Sequence, residues 1–163
     1  MFSSELLART QTLLSGLQRR GLTVVTAESC TGGLVSGLLS EIPGASDVLH
    51  AGFVTYSNAA KVELLGVAKD LIEKFGAVST EVAAAMASGA LERTPADIAV
   101  AVTGIAGPGG GSDSKPIGLV YICAQKRDEP PITRAYSFGD VGRREVRLAS
   151  VSAALSLIAE VAA

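Results

Sequence analysis

The sequence predicts an α/β fold, a single three-layer α/β/α sandwich around a mixed, mostly parallel sheet. Three observations lead there. Apolar stretches of strand length alternate with stretches of helical period through the first hundred residues, the pattern of strands joined by covering helices. Two strand-like stretches then follow one another, separated only by the polar turn KRDEPP, before a last amphipathic helix. The composition agrees: 48% of residues are hydrophobic but only 4% aromatic, with 18 Gly and no Trp, so the core must be Ala, Val, Leu and Ile in closely packed helices. A chain of 163 residues buries such a core as one domain, 1–163, without disulfides or a structural metal.

Each element has its own signal. Leu6, Leu7, Thr10, Leu13, Leu14 and Leu17 recur at helical spacing, and the basic pair Arg19-Arg20 with Gly21 ends that helix. Leu22 to Thr26 reads as a short buried strand. Thr31-Gly32-Gly33 opens a second helix that runs to about Glu41, where Ile42-Pro43-Gly44 stops it. Phe53 to Tyr56 reads as the next strand, with Ser46 to Gly52 left unassigned. Ser57 caps a helix through Leu65, Lys69 to Phe75 forms a short one, and Ser79 or Thr80 with Glu81 starts an Ala-rich helix to about Arg93. Ile98 to Thr103 is apolar enough for a strand buried on both faces. Gly118 to Gln125 and Ile132 to Phe138 read as an antiparallel pair. Leu148, Val151, Leu155, Ile158 and Val161 mark one face of the last helix.

Charge and hydropathy exclude several function classes. Fourteen Lys+Arg against sixteen Asp+Glu give a net charge of -2, without the broad basic footprint of a nucleic-acid binder. The longest uninterrupted apolar runs, Val82 to Ala87 and Leu119 to Ala124, are too short for the ~18 residues of a membrane span. The start lacks the basic and apolar regions of a signal peptide, and two distant cysteines suit a reduced cytoplasmic protein without a disulfide. His50 is the only histidine, which excludes a cluster of imidazole metal ligands, and the cysteines lack the spacing of a zinc site. A serine with a lysine base is the hydrolytic arrangement these residues leave open.

Four segments could carry chemistry, and each admits a plainer reading. In TAESCTGG, residues 26 to 33, a buried strand runs into a glycine-rich helix start. There Ser29 or Cys30 could be presented as a nucleophile and the backbone amides could favour an anion, or the segment is only a well-capped helix. In residues 42 to 61, Ser46, Tyr56, Ser57, Asn58 and Lys61 lie near one strand. Lys61 is either a base for a serine, if it loses its proton, or an ordinary solvated lysine. Residues 102 to 118 hold five glycines between 104 and 111, matching neither the dinucleotide nor the P-loop pattern, and form either a functional loop or a plain connection. Arg143, Arg144 and Arg147 open the last helix against its dipole and require an anion, supplied by a ligand or by Asp140 or Glu145.

Taken together, TAESCTGG, GFVTYSNAAK, the GAVS before the Ala-rich helix and VTGIAGPGGGSDSKPIG resemble the CinA C-terminal domain family in its stand-alone, nicotinamide-nucleotide amidase form. The likeness runs through nearly the whole chain. It implies hydrolysis of the carboxamide of nicotinamide mononucleotide to nicotinate mononucleotide and ammonia, by a Ser-Lys mechanism with neither metal nor cofactor, in pyridine nucleotide salvage. Lys61 matches the family lysine and would be the general base. Ser46 and Ser29 both match family serines and either would be the nucleophile; with Ser46 slightly favoured in that role, Ser29 and the Thr31, Gly32 and Gly33 amides would bind the oxyanion or substrate. Tyr56 would orient the dyad or relay a proton. Thr103, Gly104, Gly107 and Arg143 would hold the ribose phosphate. The sequence departs from the family pattern at Val141-Gly142, inserted between Asp140 and Arg143 where the family more often has the arginine at once. Larger members carry an additional N-terminal domain, whose activity does not transfer to these residues. The other function class is a non-catalytic nucleotide-binding module, regulatory or competence-associated. Nicotinamide mononucleotide is the expected partner, with no nucleic acid or membrane, and the Ala-rich helix would permit a homo-oligomer.

Overall fold

The computed structural model describes residues 2–163. Helix α1 (Ser4–Arg19), capped by Ser3, leads into strand β1 (Val24–Glu28) and helix α2 (Leu34–Ser40). A 3-10 turn at Ala45–Asp47 precedes strand β2 (Leu49–Val54). Helices α3 (Asn58–Leu65), α4 (Lys69–Phe75) and α5 (Thr80–Arg93) follow, then strands β3 (Ile98–Gly104), β4 (Leu119–Lys126) and β5 (Ile132–Ser137), and helix α6 (Arg143–Ala162). The strands form one sheet in the order β2-β1-β3-β4-β5. β1 is parallel to both β2 and β3, β4 is antiparallel to β3, and β5 is antiparallel to β4. Four strands therefore share one direction, and β4 alone opposes them.

Alternation along the strands builds the two outer layers. Val24, Val100 and Val102 pack beneath α1, α2 and α6. Val25, Ala27, Ala99 and Ala101 pack beneath α3, α4 and α5, where small side chains let the Ala-rich α5 approach closely. This is the expected three-layer sandwich, and the antiparallel β4/β5 pair is as read from the sequence.

Three boundaries differ, each for a local reason. β1 begins two residues late because Thr23 is tied outside it, its N–H and Oγ1 both donating to Asp97 Oδ2 at 2.8 Å. β1 also runs on through Glu28, a carboxylate buried rather than solvated. α2 starts at Leu34, because Gly32 and Gly33 have φ of +57° and +93° and belong to a turn. β2 occupies most of the stretch left unassigned and stops before Thr55. It is a half-buried edge strand, and its central Gly52 lies so close to β1 and α2 that a Cβ there would meet Thr26 Oγ1 at 3.0 Å and Ser36 Cβ at 3.1 Å. A strand with a glycine pressed against its neighbours carries little of the apolar alternation that marks strands in sequence.

From β1 the chain turns through α2 to β2 on one side, and from β2 through α3–α5 to β3 on the other. The connections diverge at the carboxyl ends of β1 and β3, where open α/β sheets leave a crevice for ligands.

Candidate functional site

The crevice is a cleft of about 260 Å³ whose walls include Ser29, Cys30, Tyr56, Lys61, Thr103, Gly107 and Arg143. Its floor is set by the sheet continuing one residue beyond the strands: the Ser29 N–H donates to Val102 O at 2.9 Å and the Thr55 N–H to Glu28 O at 2.8 Å. Ser29 and Thr55 are thereby fixed side by side at the sheet edge. Ser57 caps α3 by accepting from the Ala60 N–H, and the first turn of that helix carries Lys61 back over the edge. The Lys61 ammonium donates to Ser29 Oγ at 3.0 Å and to Thr55 O at 2.8 Å. Lys61 is 1% exposed. Burial lowers it from the ordinary 10.5 to about 8, so near neutral pH a useful fraction is free amine beside a serine hydroxyl. Cys30 goes the other way, its thiol pushed up to about 11 chiefly by burial, and it stays a weak nucleophile.

Ser46 is not brought to this place. It lies exposed in the turn before β2, whereas Lys61 follows the far end of that strand, a separation of one six-residue strand or roughly 20 Å. The structure does not bring the expected Ser46 to Lys61: the serine within hydrogen-bonding reach is Ser29. PGAS instead forms the turn that feeds β2.

The amides assigned to the oxyanion are also spoken for. The buried Glu28 carboxylate accepts from Gly33 N at 3.1 Å, Val35 N at 3.0 Å and Ser36 N at 2.9 Å, so the positive end of α2 faces a protein carboxylate rather than a ligand. Gly32 N donates to Ser29 O at 3.0 Å. Thr31 is wholly buried, its Oγ1 without a partner among the described residues. Thr31, Gly32 and Gly33 thus build the turn behind Ser29 and are not walls of the cleft.

The remaining residues form its rim. Arg143 reaches across it, donating to Gly107 O at 2.9 Å and to Tyr56 Oη at 2.5 Å. Tyr56 is 56% exposed and its hydroxyl meets Arg143, not Lys61 or Ser29. Thr103 Oγ1 donates to Ala77 O at 2.8 Å, tying the end of β3 to the loop after α4. Gly104 is glycine for packing, since a Cβ there would come within 2.6 Å of Val120 Cγ2. Lys115, in the glycine-rich loop, donates to Phe75 O at 2.6 Å and fastens that loop to the carboxyl end of α4.

Three contributors lie within the candidate segments but had no site role assigned to them. Arg147 donates to Cys30 O at 3.1 Å and Thr31 O at 2.8 Å. Thr55 acts through its carbonyl, invisible in residue type. Glu28 was legible in principle, as an acid within one turn of a helix start. In place of the anion expected at the start of α6, carbonyl and hydroxyl oxygens hold Arg143 and Arg147, and Asp140 and Glu145 bond to neither.

Comparison with known proteins identifies the family and the fold. The CinA C-terminal domain profile matches residues 7–162. A CinA-like protein of Mycobacterium sp. (strain JLS) is 52% identical over 139 residues, 85% of this chain and 32% of that protein. A putative competence-damage inducible protein of Caldicellulosiruptor saccharolyticus is 57% identical over 106 residues, 65% of this chain and 26% of its own length. The chain therefore spans about a third or less of the curated relatives it matches. Among solved structures, the competence/damage inducible protein CihA from Agrobacterium tumefaciens superposes with a TM-score of 0.98 at 46% identity, covering 100% of this chain and 99% of that one. A CinA superfamily protein from Escherichia coli gives 0.90 at 33% identity, covering 98% and 93%.

Proposed function

This chain belongs to the CinA C-terminal domain family, and on that premise we propose that it is an amidohydrolase that converts nicotinamide mononucleotide to nicotinate mononucleotide and ammonia, with Ser29 as nucleophile and Lys61 as base. The observation that carries the reading is the 3.0 Å approach of Lys61 Nζ to Ser29 Oγ inside the cleft. An amide needs both an activated nucleophile and a proton for its amine, and one lysine supplies both in turn. Neutral Lys61 takes the hydroxyl proton as Ser29 Oγ bonds to the carboxamide carbon. The tetrahedral intermediate collapses with cleavage of the C–N bond, ammonia leaves with the proton returned by Lys61, and the acyl group stays on Ser29. Water then attacks the ester as Lys61 takes its proton, the acyl–Oγ bond breaks with that proton returned to Ser29 Oγ, and the product acid leaves and ionises to the carboxylate. The Thr55 carbonyl holds Nζ throughout.

Arg143 supports the phosphorylated substrate: its partners are a carbonyl and a hydroxyl, which a phosphate can displace at the rim. The test follows ammonia from nicotinamide mononucleotide and nicotinamide riboside. Release from the mononucleotide, much faster than from the riboside, is expected. Binding without release from either would establish a nucleotide-binding module instead, and equal turnover of both would establish an amidase for another carboxamide.

A further inference from the structure

We propose that Arg147 is a positioning residue of the acyl-transfer site, which fixes through three linked peptide planes the Cys30 N–H that receives the carboxamide oxygen as it becomes an oxyanion. The inference rests on the amidase reading above and names what stabilises its transition state.

A trans peptide is planar, and its carbonyl points opposite to the N–H of the next residue. Whatever holds one therefore aims the other. Arg147 holds Cys30 O and Thr31 O together from its Nε and Nη2. Its grip on Thr31 O aims the Gly32 N–H, which donates to Ser29 O at 3.0 Å. That bond holds the Ser29 carbonyl, and the opposite side of the same plane is the Cys30 N–H. Most neighbouring amides are committed: Ser29 N to Val102 O, Gly32 N to Ser29 O, Leu34 N to Thr31 O, and Gly33 N to the Glu28 carboxylate. The Cys30 N–H donates to no oxygen among the described residues, and Cys30 lines the cleft. The Thr31 amide is also uncommitted, but its residue is wholly buried and forms no wall of the cleft.

The amide following a nucleophilic serine is well placed for the oxygen of the carbonyl that serine attacks. It is useful only when aimed in advance, because a turn free to rock would reorganise during the reaction. Arg147 does the aiming from outside. Glycine at 32 leaves it room, since a Cβ there would lie 3.4 Å from Nη2 in a residue with φ of +57°.

The experiment compares wild type, Arg147→Ala and Arg147→Lys on the mononucleotide and on its thiocarboxamide analogue. Sulfur is a poor acceptor, so a well-aimed amide favours the oxygen substrate, and the ratio of the two kcat values reads the aim independently of how much enzyme is folded. Arg147→Ala should lower kcat on the carboxamide about tenfold or more with little change in KM, and compress the oxygen-to-sulfur ratio. Arg147→Lys, which keeps a donor, should fall between and carries the comparison if the alanine variant does not fold. An unchanged ratio in both variants overturns the role. If wild type hydrolyses neither substrate, the amidase reading fails, and Arg147 is read by the rate at which a fluorophosphonate labels Ser29. There the Oγ–P bond forms, fluoride leaves, Lys61 takes the proton, and the phosphonyl oxygen takes the oxyanion position. Slower labelling in folded Arg147→Ala, with Arg147→Lys intermediate, upholds the positioning role, and labelling at the wild-type rate ends it.

Discussion

Lys61 has traded stability for a usable amine. With the folded value lowered to about 8 against the ordinary 10.5, folding below pH 8 carries the cost of a desolvated ammonium, on the order of 3 kcal/mol. Between pH 8 and 10.5 the unfolded chain still binds a proton that the folded one has released, so stability must rise with pH across that window. Urea unfolding of wild type and Lys61→Met at pH 7.5 and 10 checks the sign: the difference should shift toward wild type at the higher pH. The same titration should appear in catalysis as a kcat/KM that climbs with pH and levels off above about 8. At pH 7 roughly one molecule in ten carries the free amine. Lys61→Met and Ser29→Ala should each lose about a thousandfold or more in kcat, whereas Ser46→Ala, altered at the other end of β2, should turn over normally. An acyl-enzyme trapped on Ser46 would reverse that assignment. Lys61 was legible through the family resemblance, since its neighbours Tyr56, Ser57 and Asn58 by themselves left an ordinary solvated lysine equally open. The choice between two serines was not, because only the parallel pairing of β1 with β2 decides which end of the strand each one reaches.

Among the elements, the best-read helix contains a glycine that propensity alone would replace. Gly89 sits in the middle of α5, and alanine there should stabilise an isolated helix by about 1 kcal/mol. In the protein a Cβ at Gly89 would stand 2.0 Å from Leu65 O, the carbonyl at the end of α3. Gly89→Ala must therefore push α3 from α5, and it should destabilise by about 1–3 kcal/mol by thermal or urea unfolding. A rise in stability would mean that α3 moves freely, taking Lys61 with it. Helix ends were legible wherever a side chain makes the cap, as at Ser57 and Ser79, whose hydroxyls accept from Ala60 N and Val82 N. α2 was misread at its start because its cap is Glu28, a residue of the preceding strand. β2 was half missed because an edge strand with Gly52 at its centre has no pattern to show.

For the whole molecule, a net charge of -2 conceals a cleft of opposite character. Lys61 and Arg143 line it, Arg147 and Lys115 fasten the turn and the loop behind it, and the hydrogen-bond partners of all four are carbonyl or hydroxyl oxygens. No carboxylate is among the cleft's lining residues: Glu28 is wholly buried and turned into the α2 amides, and Asp113 and Asp140 line the neighbouring hollow of the glycine-rich loop. The cleft wall thus carries two cations and no carboxylate among the described residues, while carboxylates elsewhere set the overall sign. Three of the four cations hold the frame: Lys61 the serine, Lys115 the loop, Arg147 the turn. Arg143 stands exposed at the rim, where exchanging two neutral acceptors for a phosphate costs it little. Arg143→Ala should therefore raise KM for nicotinamide mononucleotide about tenfold or more, as expected for losing a charge-assisted bond, and leave KM for nicotinamide riboside nearly unchanged. Raising ionic strength from 0.01 to 0.15 M shortens the screening length from about 30 to 8 Å, so wild type should lose affinity for the mononucleotide with added salt while the riboside is indifferent. Equal salt dependence for the two substrates would place the recognition on the sugar and ring instead, and would remove the phosphate from the role given to Arg143.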